Sequence, residues 1–201
     1  MKFGLPFGGA CRTVPLLAIL LCTAGCSSES SPEAPQAVLS PTQVVENYFA
    51  LMQEGQVAEA IAQHWNTKAA VQRMFPEDYP TLSAEDQEKL AAEYRKVLVL
   101  SNAMPAAVES MARMQISQPQ ETHEGDLCTV QLEASRGDGT PARTLQALLA
   151  KDGTQWKLID IAAPDGSGYF GTKFNAMYIT SGTTPLSFLK RITASIPSSG
   201  E

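Results

Sequence analysis

Few residues in this chain of 201 could carry chemistry, and their spacing limits what they can do. Two histidines are present, His64 and His123. His64 stands beside Trp65, where an imidazole at a pocket mouth could serve as a general base. His123 lies in Glu121-Thr122-His123-Glu124-Gly125, a polar run that reads as a solvated turn. Neither belongs to an H-x-x-x-H pattern, so zinc would need ligands gathered from remote positions, and no residue is nominated for metal. Asp160 with His64 could imitate a catalytic carboxylate–imidazole pair, but Asp160 reads as an outward-facing strand residue. Cys128 has no adjacent base and no G-x-S-x-G elbow occurs, so no nucleophile emerges. Gly166-Ser167-Gly168-Tyr169-Phe170-Gly171 spells G-x-G-x-x-G. A pyrophosphate turn needs a βαβ unit and an acidic residue about 20 positions on. Here an antiparallel meander precedes the glycines and the chain is nearly over, so they read as a strand-to-helix joint. The expectation is a protein without catalytic residues, metal or cofactor.

One reactive side chain remains, Cys26. It ends the stretch Leu20-Leu21-Cys22-Thr23-Ala24-Gly25-Cys26, after a run from Val14 to Leu21 that is apolar except at Pro15. Lys2 and Arg12 stand upstream. A charged start, a short apolar run and a small-residue zone make a secretory signal. The run is far short of the roughly 20 apolar residues that cross a bilayer. The Ala24-Gly25-Cys26 junction resembles the lipobox of bacterial lipoproteins, with Thr23 standing where that family usually has Leu. The resemblance implies a signal peptide over residues 1–25, cleavage before Cys26 and acyl chains, palmitate among them, on Cys26. An ordinary signal ending at Ala24 is the alternative. Ser27, in place of an inner-membrane-retaining Asp, resembles the default signal for the outer membrane, which implies an anchor there facing the periplasm.

Charge supports acyl chains over electrostatics as the means of attachment. The chain has 15 basic and 21 acidic residues, and without Lys2 and Arg12 the remainder carries a formal charge of −8. Nucleic acid demands a basic face, and anionic headgroups a polybasic patch. Acyl chains supply about 0.8 kcal/mol per buried CH₂, enough for a multiply acylated cysteine to hold. Of four cysteines, the lipobox resemblance implies that Cys11 and Cys22 leave with the signal and that Cys26 would be capped by lipid. Cys128 then reads as a small buried hydrophobe. Were Cys26 left free, a Cys26–Cys128 bridge would tie the tail to a strand.

The elements that would position any site follow in order. Residues 26–39 hold the lipidated Cys and a Ser/Pro/Glu/Ala tether read as disordered. A single domain spans 40–196, and 197–201 read as a frayed tail. Ser40-Pro41 opens a first helix, with Val44, Val45, Tyr48, Phe49 and Met52 at helical spacing up to Gly55. Short helices are expected over Gln56–Trp65 and Thr67–Phe75. Ser83 with Asp86 caps the longest helix, which Pro105 kinks or splits. From Gln115 the period changes to two: strands are expected at Met114–Gln120, Leu127–Arg136, Arg143–Ala150 and Gln155–Ala163. Asp138-Gly139 and Asp152-Gly153 supply hairpin turns. Helices over Tyr169–Ser181 and Leu186–Ile196 close the chain. The fold class is therefore α+β, with N-terminal helices on a curved antiparallel sheet of about four strands, then C-terminal helices.

Two resemblances attach to this order. Ser40-Pro41-Thr42-Gln43-Val44-Val45-Glu46-Asn47-Tyr48-Phe49, and the hairpin Leu148 to Ile161 with its Asp-Gly-x-x-Trp-Lys signature, resemble nuclear-transport-factor-2-like domains over residues 40–163. The Leu82–Leu98 helix, the same hairpin and the tail from Tyr169 through Pro185 to Arg191 resemble the MlaC/toluene-tolerance family of periplasmic phospholipid carriers. Here the Pro76–Pro80 loop replaces an aromatic-rich segment. The second resemblance implies an apolar ligand, a phospholipid acyl chain. Met104, Met111 and Met114 on the segment feeding the sheet are either core packing or the adaptable wall of a lipid-sized cavity. Its walls are expected to be Leu98, Leu100, Met104, Val108, Met111, Leu145 and Trp156. The leading expectation is thus a membrane-anchored envelope lipoprotein that binds a hydrophobic ligand without catalysis. The alternative is an interaction or assembly module on the same cone-shaped fold, with a filled cone. Protein partners are not named by any motif.

Overall fold

The first helix begins where its backbone donors find partners. Ser40 is extended, its hydroxyl accepts the Gln43 N–H, and the Gln43 side chain accepts the Ser40 N–H in return. Such a reciprocal cap contributes about 1 kcal/mol. Pro41 then costs no hydrogen bond at the first helical position. This α1, Pro41–Gln53, ends at Gly55, whose φ of 75° suits a residue without a side chain. These features come from a computed structural model that describes residues 38–162 and 168–197. The expected signal peptide, Cys26 and most of the tether lie outside the described residues, as do Gly166, Ser167 and positions 198–201.

Helices α2 (Val57–His64) and α3 (Thr67–Met74) follow, then a single 3₁₀ turn over Tyr79–Thr81. Ser83 caps α4, Ala84–Asn102, through the Asp86 N–H. Pro105 splits this region outright. Met104 before it is extended, as a residue preceding proline must be, and α5 (Pro105–Ala112) starts afresh. None of the α5 residues is fully buried.

Strands β1 (Gln115–Glu124), β2 (Leu127–Ser135), β3 (Arg143–Asp152) and β4 (Gln155–Ile161) form an antiparallel sheet in sequential order. The sheet does not close, so β1 and β4 are edges. Cys128, Val130, Leu132 and Ala134 are buried on one face of β2, while Gln131 and Glu133 face solvent. Register carries that buried row across β3, because Cys128 pairs with Leu149, Val130 with Ala147 and Leu132 with Leu145. The β4 edge is partly covered, as Trp65 bridges Leu158 in parallel and the Asn66 N–H donates to the Leu158 carbonyl.

Helix α1 lies on this face and buries Val44, Val45, Tyr48, Phe49 and Met52. Helices α6 (Phe170–Ile179) and α7 (Pro185–Ser195) complete the fold, α7 against α4 and α6 against α3. Phe75, Phe174, Tyr178 and Phe188 seal that corner with edge-to-face contacts at 4.8–6.4 Å. Helices, then an antiparallel sheet, then helices are observed as expected. Among the described residues no helix is long and apolar enough to cross a membrane.

Two expectations need correction. The run Glu121 to Glu124 is not a turn but the end of β1, and the chain reverses at Gly125 and Asp126. Asp160 does not face outward: it is 1% exposed. A register shift between Leu148 and Leu149 lets all four residues from Leu158 to Ile161 be buried, where strict alternation would expose two.

Candidate functional site

The seven residues expected to line one cavity are spread out. Leu145 is buried within β3, paired with Leu132. Trp156 pairs with Lys151 at the other end of the sheet, six residues along β3 from Leu145, or roughly 20 Å. Leu98, Val108, Met111 and Trp156 pack half-buried against the core, Met104 caps α5, and Leu100 is exposed. Between α1, α4 and the sheet the interior is occupied by side chains, with Tyr48, Trp65 and Tyr94 in successive edge-to-face contact at 6.3 Å. Burial raises the Tyr48 phenol to about 12, so it takes no part in proton transfer near neutrality. Of the seven, Leu100 borders a large groove and Met111 a separate one of about 310 Å³ between α5 and the β2–β3 connection.

The large groove, about 1000 Å³, runs along α4 between the α2–α3 connection and the β3–β4 hairpin. Its floor is apolar: Ala62, Trp65, Ala91, Val99 and Leu100. Its rim carries Lys68, Arg95, Lys96 and Lys157 against Glu88 and Asp152. Lys68 pairs with Glu88 at 2.7 Å, and that carboxylate raises the lysine's pKa. Lys96 reaches Glu93 at 3.1 Å, and Lys157 donates to the Gln63 carbonyl. Arg95 has no carboxylate partner among the described residues. A pocket of this size, with an apolar floor and a few convergent charges, suits a ligand with an apolar body and an anionic end. The four cations come from α3, α4 and β4, so no local motif could have assembled them. In a chain of formal charge −6 they are a local reversal of sign.

The carboxylate–imidazole pair considered from sequence does not form. His64 is buried with Nε2 unpartnered, and burial together with Lys157 lowers its pKa. Asp160 instead accepts the N–H groups of Gly171 and Ile161, with Arg73 Nε at 3.9 Å. Burial raises its pKa despite these partners. Gly171 is obligatory, because a Cβ there would lie 2.7 Å from Asp160 Oδ2. The final glycine of the G-x-G-x-x-G string is thus explained by a carboxylate seated on the first turn of α6.

His123 is half-exposed at the surface, and β1 and β2 place it beside two other polar side chains. Its Nε2 lies 2.9 Å from Glu121 Oε2 and 3.8 Å from Cys128 Sγ. Its ring meets Trp156 edge-on at 5.7 Å. Sequence spacing hid this trio because the strand reverses between its members.

No protein-family model matches the chain, and no curated protein sequence does either. Among solved structures the fold is similar to a phospholipid-binding protein from Ralstonia solanacearum in complex with a phospholipid. The similarity covers 77% of this chain and 95% of that one, with a TM-score of 0.60 and 14% sequence identity. At that identity the likeness establishes the architecture: a curved, open antiparallel sheet carrying helices.

Proposed function

We propose that this protein is a cell-envelope lipoprotein, held at the outer membrane by acyl chains on Cys26, whose domain binds a phospholipid without catalysing its turnover. The observation that carries the ligand is the groove along α4, with its apolar floor and with Arg95 free of any carboxylate partner among the described residues. The acyl chain lies along Ala91, Val99 and Leu100 while the phosphate meets Arg95 and its neighbouring lysines. That a structure of the same architecture holds a phospholipid supports the class of ligand. The anchor makes the protein a tethered acceptor that moves only within the reach of residues 27–40.

The test is organic extraction of the purified full-length chain followed by mass spectrometry, with titration of a labelled anionic phospholipid. Co-purified phospholipid and at least tenfold weaker binding by Arg95→Glu are expected. Absence of lipid from the extract, with no binding by the wild type, would sink the reading. Cys26→Ser tests the anchor: the protein should leave the membrane fraction. A second reading rests on the packed Tyr48–Trp65–Tyr94 interior. A filled cone fits an assembly module, and a lipid-free protein that co-purifies with a stoichiometric partner would favour it.

A further inference from the structure

Glu121, His123 and Cys128 present three different ligand atoms, a carboxylate oxygen, an imidazole nitrogen and a sulfur, all within 4.8 Å of one another. Register explains the convergence. His123 pairs directly with Cys128 and Glu121 with Val130, so the three side chains leave the same face of the β1–β2 hairpin. The carboxylate is also held from behind, because its Oε1 accepts the Thr42 N–H at 2.8 Å in the first turn of α1. Orientation of a ligating carboxylate by an outer partner is typical of built metal sites. The His123 ring is braced by Trp156. A tetrahedral zinc with Zn–N, Zn–O and Zn–S bonds of about 2.0–2.3 Å separates its ligand atoms by roughly 3.3–3.6 Å. The observed separations of 2.9 and 3.8 Å bracket that range, so closure on an ion needs sub-ångström shifts.

We propose that Glu121, His123 and Cys128 form a binding site for a divalent cation of borderline softness, Zn²⁺ foremost. Mixed oxygen, nitrogen and sulfur donors select such ions over Mg²⁺ or Ca²⁺, which take oxygen. Three protein ligands leave a fourth position, and the half-exposed His123 opens it to water. On binding, the Cys128 thiol loses its proton to solvent and the thiolate bonds to the metal. The ion then fastens the β1–β2 hairpin to the start of α1 through Glu121. None of these residues lines the groove along α4, so the metal and lipid readings stand or fall separately.

The experiment is titration of the full-length protein, stripped with chelator, with Co²⁺ and then Zn²⁺. One equivalent of Co²⁺ should give a thiolate-to-cobalt charge-transfer band that Zn²⁺ bleaches. Glu121→Gln and His123→Gln should each weaken Zn²⁺ binding by at least tenfold, judged by competition with a chromophoric chelator. Cys128→Ser should abolish the band. Because Cys128 is buried and its replacement could unfold the chain, the two exposed variants, checked by circular dichroism, keep the test decisive. Zn²⁺ should also raise the melting temperature of the wild type and not of His123→Gln. Absence of the charge-transfer band, or wild-type affinity in His123→Gln, would overturn the site.

Discussion

Two carboxylates on the sheet do the same local job in different surroundings. Asp160 on β4 accepts the Gly171 N–H in the first turn of α6, and Glu121 on β1 accepts the Thr42 N–H in the first turn of α1. Each satisfies a donor that a helix start leaves unpaired and places negative charge at the positive end of the helix dipole. Asp160 is sealed beneath a glycine, with a second backbone donor and Arg73 nearby. The side chain of Glu121 is 27% exposed, and its second oxygen faces an imidazole and a thiol. Enclosure turns the first into a structural fastener. An open side and mixed neighbours leave the second free to take a ligand. Their net ionisation shifts run in opposite directions too, although burial raises both. For Asp160 desolvation prevails and raises the pKa. For Glu121 desolvation is the largest single influence, but the hydrogen bonds from Thr42 and His123 together outweigh it and lower the pKa.

The comparison can be broken most forcefully at Asp160. Asp160→Ala should cost about 3–5 kcal/mol by urea denaturation, because it strands the two buried N–H donors of Gly171 and Ile161. A loss no larger than that of Glu121→Ala, expected at about 0.5–2 kcal/mol for one lost cap contact, would erase the distinction. Gly171→Ala should destabilise by about 1–3 kcal/mol, since the added methyl meets a short carboxylate that cannot swing aside.

Acid titration sharpens the contrast by sign. The folded Glu121 has a pKa below its ordinary 4.5, so its stabilisation is complete above 4.5 and is lost as pH falls through the lowered value. The folded Asp160 has a pKa above its ordinary 3.8, so its contribution is most favourable below 3.8 and is lost as pH rises through the raised value. Stability measured against pH should therefore fall less steeply on acidification in Glu121→Gln and more steeply in Asp160→Asn. Equal slopes in the two variants would refute the assignment. The smallest effect belongs to an exposed carboxylate in the first turn of α4. Glu85→Gln, which removes the exposed pair with Lys89, should change stability by less than about 0.5 kcal/mol.

Legibility followed the range of the interactions involved. The start of α1 could be read because Ser40, Pro41 and Gln43 act within one turn of each other. β2 could be read because its buried row alternates without interruption. β1 could be read only as far as Gln120, since Gln115-Ile116-Ser117-Gln118-Pro119-Gln120 contains a proline and the run beyond it is wholly polar. An edge strand tolerates that proline, and the register shift between Ser117 and Gln120 carries the pairing past it. The strand thus runs on to Glu124, four residues beyond the expected end, and takes His123 out of the turn. The spread of the expected cavity walls has a related cause: Leu145 and Trp156 are both apolar, but strand register alone decides how far apart they stand.

By itself the sequence determined the order of elements, the helix caps at Ser40 and Ser83, the turns at Asp138-Gly139 and Asp152-Gly153 and the α+β class, all of which depend on neighbours within a few positions or on a simple period. It also carried Cys26 and its apolar run, legible as a motif whatever the rest of the chain does. Only the tertiary structure decided that Asp160 is buried and pairs with Gly171, that Arg95 and three lysines share a groove, and that Glu121, His123 and Cys128 converge. Those outcomes depend on strand register and on helices docking from distant parts of the chain. Such contacts leave no periodic trace in the residues that make them.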